Sequence, residues 1–138
     1  MFEIVDLVKD DYQAATRLWQ ATPGIGEVET EEEFKTYLER NPGLSTAAWS
    51  QGDLVGAMLC GHDGRRGYLY HLAVAAEYRS QGIASAMIDR AVDRLQKCGV
   101  RRVSIHLYAA NRPGAAFWQR LGWRERTDLR VYAWDIPH

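Results

Sequence analysis

The stretch Val74-Ala75-Ala76-Glu77-Tyr78-Arg79-Ser80-Gln81-Gly82-Ile83-Ala84-Ser85 decides how the chain reads. Before it runs Tyr68-Leu69-Tyr70-His71-Leu72-Ala73-Val74, aromatic and aliphatic enough for a central strand. After it, Ile83, Met87, Ala91 and Leu95, with Ala84, Ile88 and Val92 beside them, recur at helical spacing as far as Cys98, and Gly99 is a natural stop. A strand therefore turns through a short polar loop into an amphipathic helix. A helix start leaves backbone N–H groups unpaired at the positive end of the macrodipole, so a pyrophosphate set there gains several hydrogen bonds. Gly82 lets the backbone approach such an anion, Ala84 keeps the floor low and Ser85 offers a hydroxyl donor. A lone glycine at a strand-to-helix turn more often marks only a tight connection, so the rest of the chain has to decide.

Working outward, Phe2–Leu7 alternates like a first strand, and Asp10 or Asp11 is placed to cap a helix carrying Ala14, Ala15, Leu18 and Trp19. Pro23-Gly24-Ile25-Gly26 breaks that helix. Thr30-Glu31-Glu32-Glu33 then reads as an N-cap with an acidic first turn, opening a second helix through Phe34, Tyr37 and Leu38 that ends at Asn41-Pro42-Gly43. Two strand-like runs, 46–50 and 54–60, meet across Gln51-Gly52-Asp53 as a hairpin. A polar loop, Gly61–Gly67, leads to the central strand. Beyond the long helix, Val100–Tyr108 reads as a strand, Pro113–Leu121 as a short helix and Leu129–Trp134 as a last strand. The order β, α, α, β, β, β, α, β, α, β predicts an α/β (α+β mixed sheet) fold with helices on the sheet faces.

At 138 residues and 46% hydrophobic content, a single domain over 1–138 is expected. A formal net charge of −1 gives no global reason to expect nucleic acid or an anionic membrane as partner. Met1–Asp6 lacks the basic and long apolar stretch of a secretory signal, and no later run reaches membrane-spanning length, so a cytoplasmic protein is expected. Cys60 and Cys98, and the four histidines, have no metal-ligand spacing, so no metal is expected and the thiols read as reduced and buried.

Two separate motifs carry a family resemblance. Arg79-Ser80-Gln81-Gly82-Ile83-Ala84 is similar to the Arg/Gln-x-x-Gly-x-Gly/Ala acyl-CoA loop of the GNAT acetyltransferases. Asn111-Arg112-Pro113-Gly114-Ala115-Ala116-Phe117-Trp118-Gln119-Arg120-Leu121-Gly122-Trp123 resembles their later motif, an Asn, a short helix, an aromatic pair and a Leu-Gly-aromatic ending. The resemblance runs from the first strand onward, with the N-terminal helices matching in pattern only. It implies a mixed sheet of about six to seven strands with about four helices, and neighbouring parallel strands that splay apart.

It implies acetyl-CoA as cosubstrate, held by Leu72, Ala73 and Val74 along the strand edge, by Arg79, Ser80, Gln81, Gly82, Ile83, Ala84 and Ser85 at the loop, and by Asn111, Phe117 and Trp118 later. The implied reaction is direct attack of a primary amine of unidentified kind on the thioester, by a monomer or homodimer, with the Val74 N–H on the acetyl carbonyl oxygen. Asn111 has a second reading as the N-cap of the helix at Pro113. Trp118 stands where many relatives place an acidic tyrosine, and an indole is no practical proton source, so either Tyr108 is the substitute donor or the thiolate, from a thiol of pKa about 8.5, leaves unassisted. Trp118 then packs along the cofactor or fills the core.

Strand alternation puts Leu72, Tyr70 and Tyr68 on one face and Ala73, His71 and Leu69 on the other. Some relatives carry a glutamate matching Tyr68 or Tyr70. Here that face lacks a carboxylate, Tyr70 is left to orient a water or the amine, and His71 reads as a packed histidine pointing away. Glu27, Glu29, Glu31, Glu32 and Glu33 form either an acidic rim for a cationic amine or a solvated helix start. Asp63, Arg65 and Arg66 either line the pocket or shape a turn. The rival readings are a non-catalytic acyl-CoA-binding module and a phosphate-binding α/β domain, the latter without a P-loop or dinucleotide fingerprint.

Overall fold

A computed structural model describes residues 1–138. The chain divides into two compact units, Met1–His106 and Leu107–His138. The first holds one five-stranded sheet in the order β1-β2-β3-β4-β5. Its strands are β1 (Glu3–Asp6), β2 (Thr46–Ser50), β3 (Asp53–His62), β4 (Gly67–Val74) and β5 (Val103–Ile105), and its helices α1 (Tyr12–Gln20), α2 (Glu31–Arg40) and α3 (Ile83–Lys97). Pairings from β1 to β4 are antiparallel, while β4 and β5, joined through α3, are parallel.

Local chemistry accounts for the boundaries. Thr30 accepts from the Glu33 N–H and Glu33 returns a bond to the Thr30 N–H, so α2 opens on the expected reciprocal cap. Asn41 closes it. Its side chain donates to the Tyr37 carbonyl and accepts from the His62 N–H at 3.0 Å, tying the helix end to β3. Gln51 and Gly52, both at positive φ, make the tight hairpin between β2 and β3. The loop after β3 is closed by Asp63, whose carboxylate accepts from the Arg65 and Arg66 N–H groups. The turn reading of that loop is the one observed.

The sheet has a core on each face. Leu7, Ala15, Trp19, Phe34, Ala47, Ala57, Leu59 and Ala73 cluster beneath α1 and α2. Phe34 is fully buried, edge-on to both Tyr12 and Trp19. The other face receives the predicted α3 stripe, with Ile83, Met87, Ala91 and Leu95 all buried. Helix and sheet approach closely there because β3 and β4 present glycines. A Cβ on Gly56 would lie 3.0 Å from Met87 Cε, and one on Gly67 2.8 Å from Leu95 Cδ1. Side chains of this kind each contribute roughly 1.5–3 kcal/mol on burial.

The second unit contains α4 (Arg112–Arg120). Two strand expectations are corrected. The run Val100–Tyr108 pairs only over Val103–Ile105. Leu129–Trp134 forms no strand, and Val131, Tyr132 and Trp134 are 77%, 88% and 86% exposed. Strand propensity expresses itself through cross-strand pairing and packing, and this segment has no ladder partner. The sheet therefore has five strands rather than six or seven, within the same mixed α/β class. No helix is long and apolar enough to cross a membrane.

Candidate active site

The site is organised by where β4 and β5 part. Their parallel pairing covers Gly67–Leu69 against Val103–Ile105 and stops there, while β4 runs on to Val74. From Tyr70 onward one edge of β4 is open. The Ala75 N–H donates to the Val55 carbonyl at 2.8 Å, so Ala75 faces β3, and the alternation of an antiparallel ladder turns the Val74 N–H and C=O toward the open side. The Val74 carbonyl accepts from Arg79 Nε at 3.1 Å. Arg79 thus pins the end of β4, a role its place in the loop motif does not disclose.

Gly82 caps α3 at φ +87°, and Ser80 two residues earlier sits at φ +63°. The first bond across the helix start runs from the Ala86 N–H to the Gly82 carbonyl, so the N–H groups of Ile83, Ala84 and Ser85 have no acceptor within the helix. Arg79, Ser80, Gln81 and Gly82 are exposed. A Cβ on Gly82 would meet nothing within 4 Å, so the approach to these donors is open. Three convergent N–H groups at a positive dipole end, with exposed polar side chains before them, fit a pyrophosphate. Among the expected cofactor residues, Ile83 offers only its backbone, because its side chain is buried against the sheet.

On the α1/α2 face the strict alternation expected for β4 fails. Ala57 pairs with Ala73 but Leu59 pairs with Tyr70, so two residues of β4, His71 and Leu72, oppose Met58 alone. This bulge re-aims the strand. Ala73 and Tyr70 both pack against the α1/α2 cluster, correcting the expectation that they face opposite ways. His71, at φ +59°, also turns to this side, with its ring 5.0 Å from Trp19 and Nε2 2.9 Å from Glu29 Oε1. It does not point away from Tyr70, as alternation requires.

Around this point the sheet face is aromatic. Tyr68 stacks on Tyr70 at 6.3 Å, Tyr37 meets Tyr70 edge-on, and His106, just past β5, meets both Tyr68 and Tyr70 edge-on near 6 Å. Burial raises the Tyr70 hydroxyl above its usual pKa of 10.0, helped by Tyr68 and Glu29, so it remains a hydrogen-bond donor at neutral pH. Tyr37 is shifted further in the same direction, chiefly by burial. Of the five glutamates between α1 and the first turn of α2, Glu29 alone turns inward, and Glu27, Glu31, Glu32 and Glu33 are exposed. Burial is the largest influence and disfavours its charge, but the hydrogen bond and charge of His71 together with a backbone hydrogen bond outweigh it, and the Glu29 carboxyl lies below its usual 4.5. His106 and the Glu29–His71 pair escape sequence reasoning. The first is brought in by the parting of β4 and β5, the second by a bulge, and neither leaves a local signature.

In the second unit, Asn111 Oδ1 accepts from the Gly114 N–H at 3.0 Å, the capping reading of that residue, with Pro113 in the first turn. Trp118 is buried, 4.6 Å from Trp123 and edge-on to Phe117, so it serves as packing. Tyr108 is 63% exposed.

Comparison with known proteins bears on the family and the fold. The family model described as acetyltransferase (GNAT) family matches residues 5–123. An acetyltransferase of Photorhabdus laumondii is 30% identical over 122 residues, covering 86% of this chain and 83% of that protein. Among solved structures, an aminoglycoside acetyltransferase from an uncultured soil metagenomic sample superposes with TM-score 0.72 at 22% identity, over 100% of this chain and 99% of that one. A ribosomal-protein-alanine N-acetyltransferase of Brucella melitensis does so with TM-score 0.73 at 17% identity, over 98% and 99%.

Proposed function

Because the chain belongs to the GNAT acetyltransferase family, we propose that it transfers the acetyl group of acetyl-CoA to a primary amine, by direct attack while both substrates are bound. The observation that carries this reading is the open edge of β4 ending at Val74, with the start of α3 a few residues beyond. The N–H groups of Ile83, Ala84 and Ser85 bind the pyrophosphate, and exposed Arg79, Ser80 and Gln81 line its approach. The backbone at Leu72–Val74 pairs with the pantetheine arm as an added strand would. The Val74 N–H donates to the thioester oxygen as negative charge builds on it, and a donor aimed at that oxygen is worth about 3 kcal/mol in comparable sites. Tyr70 remains protonated and orients the amine or a water. Tyr108 protonates the departing thiolate, in the place Trp118 leaves without a proton source.

The acceptor enters from the aromatic face of Tyr68 and Tyr70, where Glu29 is the inward-facing carboxylate. That chemistry suits an amine that arrives as a cation. The two structural neighbours named above suggest which amines to offer first, an aminoglycoside and a peptide with an N-terminal alanine. The test is a screen of amines with acetyl-CoA, read as release of free CoA thiol. Acetyl-dependent release with at least one amine is the expected result. CoA binding without turnover for any amine favours a non-catalytic acyl-CoA-binding module.

A further inference from the structure

His71 is held in a conformation that costs an L residue about 1–2 kcal/mol. Such strain persists only where the surroundings impose it, and it clusters at functional positions. Here the surroundings are specific. The extra residue in β4 turns the imidazole onto the α1/α2 side, Trp19 packs against the ring, and Glu29 Oε1 takes Nε2 at 2.9 Å. Glu29 is itself fixed, because its backbone carbonyl accepts from the Tyr12 hydroxyl at 2.8 Å. The pair also stands at a particular place. His71 lies two residues beyond Leu69, the last β4 residue paired with β5, and three before Val74.

An ionised carboxylate only accepts hydrogen bonds, so with His71 neutral the shared proton sits on Nε2. The Nδ1 lone pair is then free of a proton and basic. A carboxylate that fixes the tautomer of an imidazole and stabilises its protonated form is the arrangement that makes histidine an effective base.

We infer that His71, oriented by Glu29, is the group that takes the proton from the incoming ammonium, an inference that rests on the acetyl-transfer reading. The acceptor R–NH3⁺ gives one proton to His71 Nδ1. The freed nitrogen lone pair forms the C–N bond to the thioester carbonyl carbon, whose π pair moves to oxygen and returns as the C–S bond breaks. The thiolate takes the Tyr108 hydroxyl proton to leave as CoA–SH, the second nitrogen proton restores that hydroxyl through solvent, and the imidazolium returns its proton to solvent. The net change is R–NH3⁺ and acetyl-CoA to R–NH–CO–CH3, CoA–SH and H⁺. Glu29 is a positioning residue, acting through His71.

The experiment uses the full chain and an amine that supports turnover in the screen. His71→Gln should lower kcat about 100-fold with the acetyl-CoA KM within about twofold, the range of a lost general base. His71→Asn, which tolerates the left-handed backbone, should do the same and guards against misfolding, checked by its melting temperature. Glu29→Gln should lower kcat about tenfold, and Glu29→Asp should recover part of it. Independently of turnover, nitrogen-15 NMR of the free protein, at a pH where the His71 ring is neutral, should show the Nε2–H tautomer. Wild-type turnover that survives both His71 substitutions, a dominant Nδ1–H tautomer, or loss of kcat in His106→Gln but not in His71→Gln overturns the inference alone. Absence of turnover in the wild type with every amine overturns the acetyl-transfer reading and this inference with it.

Discussion

Placing a carboxylate at Gly82 separates backbone strain from electrostatics at the proposed pyrophosphate site. Gly82 sits at φ +87°, where an L side chain is strained, yet a Cβ would touch nothing within 4 Å. Gly82→Ala should therefore cost about 1 kcal/mol of stability from the backbone alone, or roughly 4 °C in Tm for a chain of this size. It should leave the N–H groups of Ile83, Ala84 and Ser85 in place. Gly82→Glu carries the same strain and adds a negative charge beside the anion. Two unit charges about 6 Å apart in an effective dielectric of about 20 repel by about 3 kcal/mol, or about 100-fold in Kd. Salt at physiological strength reduces this toward about tenfold at so exposed a position. Calorimetric titration with CoA, and melting curves with and without it, read both quantities. The two variants should melt alike without ligand, whereas saturating CoA should stabilise the glutamate variant by about 1.4 kcal/mol less than the alanine variant. Equal CoA affinity in both variants would refute the placement of the pyrophosphate at the start of α3.

Tyr108→Phe should lower kcat about tenfold with acetyl-CoA KM unchanged, because only a transition-state proton donor is lost; an unchanged kcat means that the thiolate leaves unassisted. Thr30→Ala should destabilise by about 1 kcal/mol in urea unfolding, since it removes the acceptor for the Glu33 N–H and half of the reciprocal cap on α2. Asp6, bound to Arg90 at 2.6 Å and Arg94 at 3.0 Å, has its carboxyl held below the usual 3.8, first by the Arg90 hydrogen bond. A lowered folded pKa gives stability that is present above the usual aspartate value and lost as pH falls through the folded one. Asp6→Asn should accordingly lower Tm at pH 7, with the gap to wild type closing in strong acid; a gap independent of pH would assign the effect to packing.

Much of the fold was legible because local rules and tertiary packing agree. The α3 stripe of Ile83, Met87, Ala91 and Leu95 is buried as its spacing requires. Thr30 and Glu33 make the cap their types announce, and Gln51-Gly52 makes the hairpin. Legibility failed where the outcome depends on a partner distant in sequence. Leu129–Trp134 has strand composition without a strand beside it, and Val100–Tyr108 pairs only as far as β4 stays alongside.

By itself the sequence determined the loop proposed to hold acyl-CoA. An anion site at a helix start is a local object, made from Arg79, Ser80, Gln81, Gly82 and the first N–H groups of α3, and residues adjacent in sequence build it wherever the helix lies. The proposed acceptor side is different in kind. Alternation predicts that His71 and Tyr70 part company, and one extra residue opposite Met58 puts both on the α1/α2 face. Glu29 looks like one of five solvated glutamates until Tyr12 and His71 draw it inward. Tertiary structure alone decided this side, because a bulge shifts side-chain direction by the register of two strands, and a carboxylate 42 residues away in sequence meets its imidazole only once both are folded against α1.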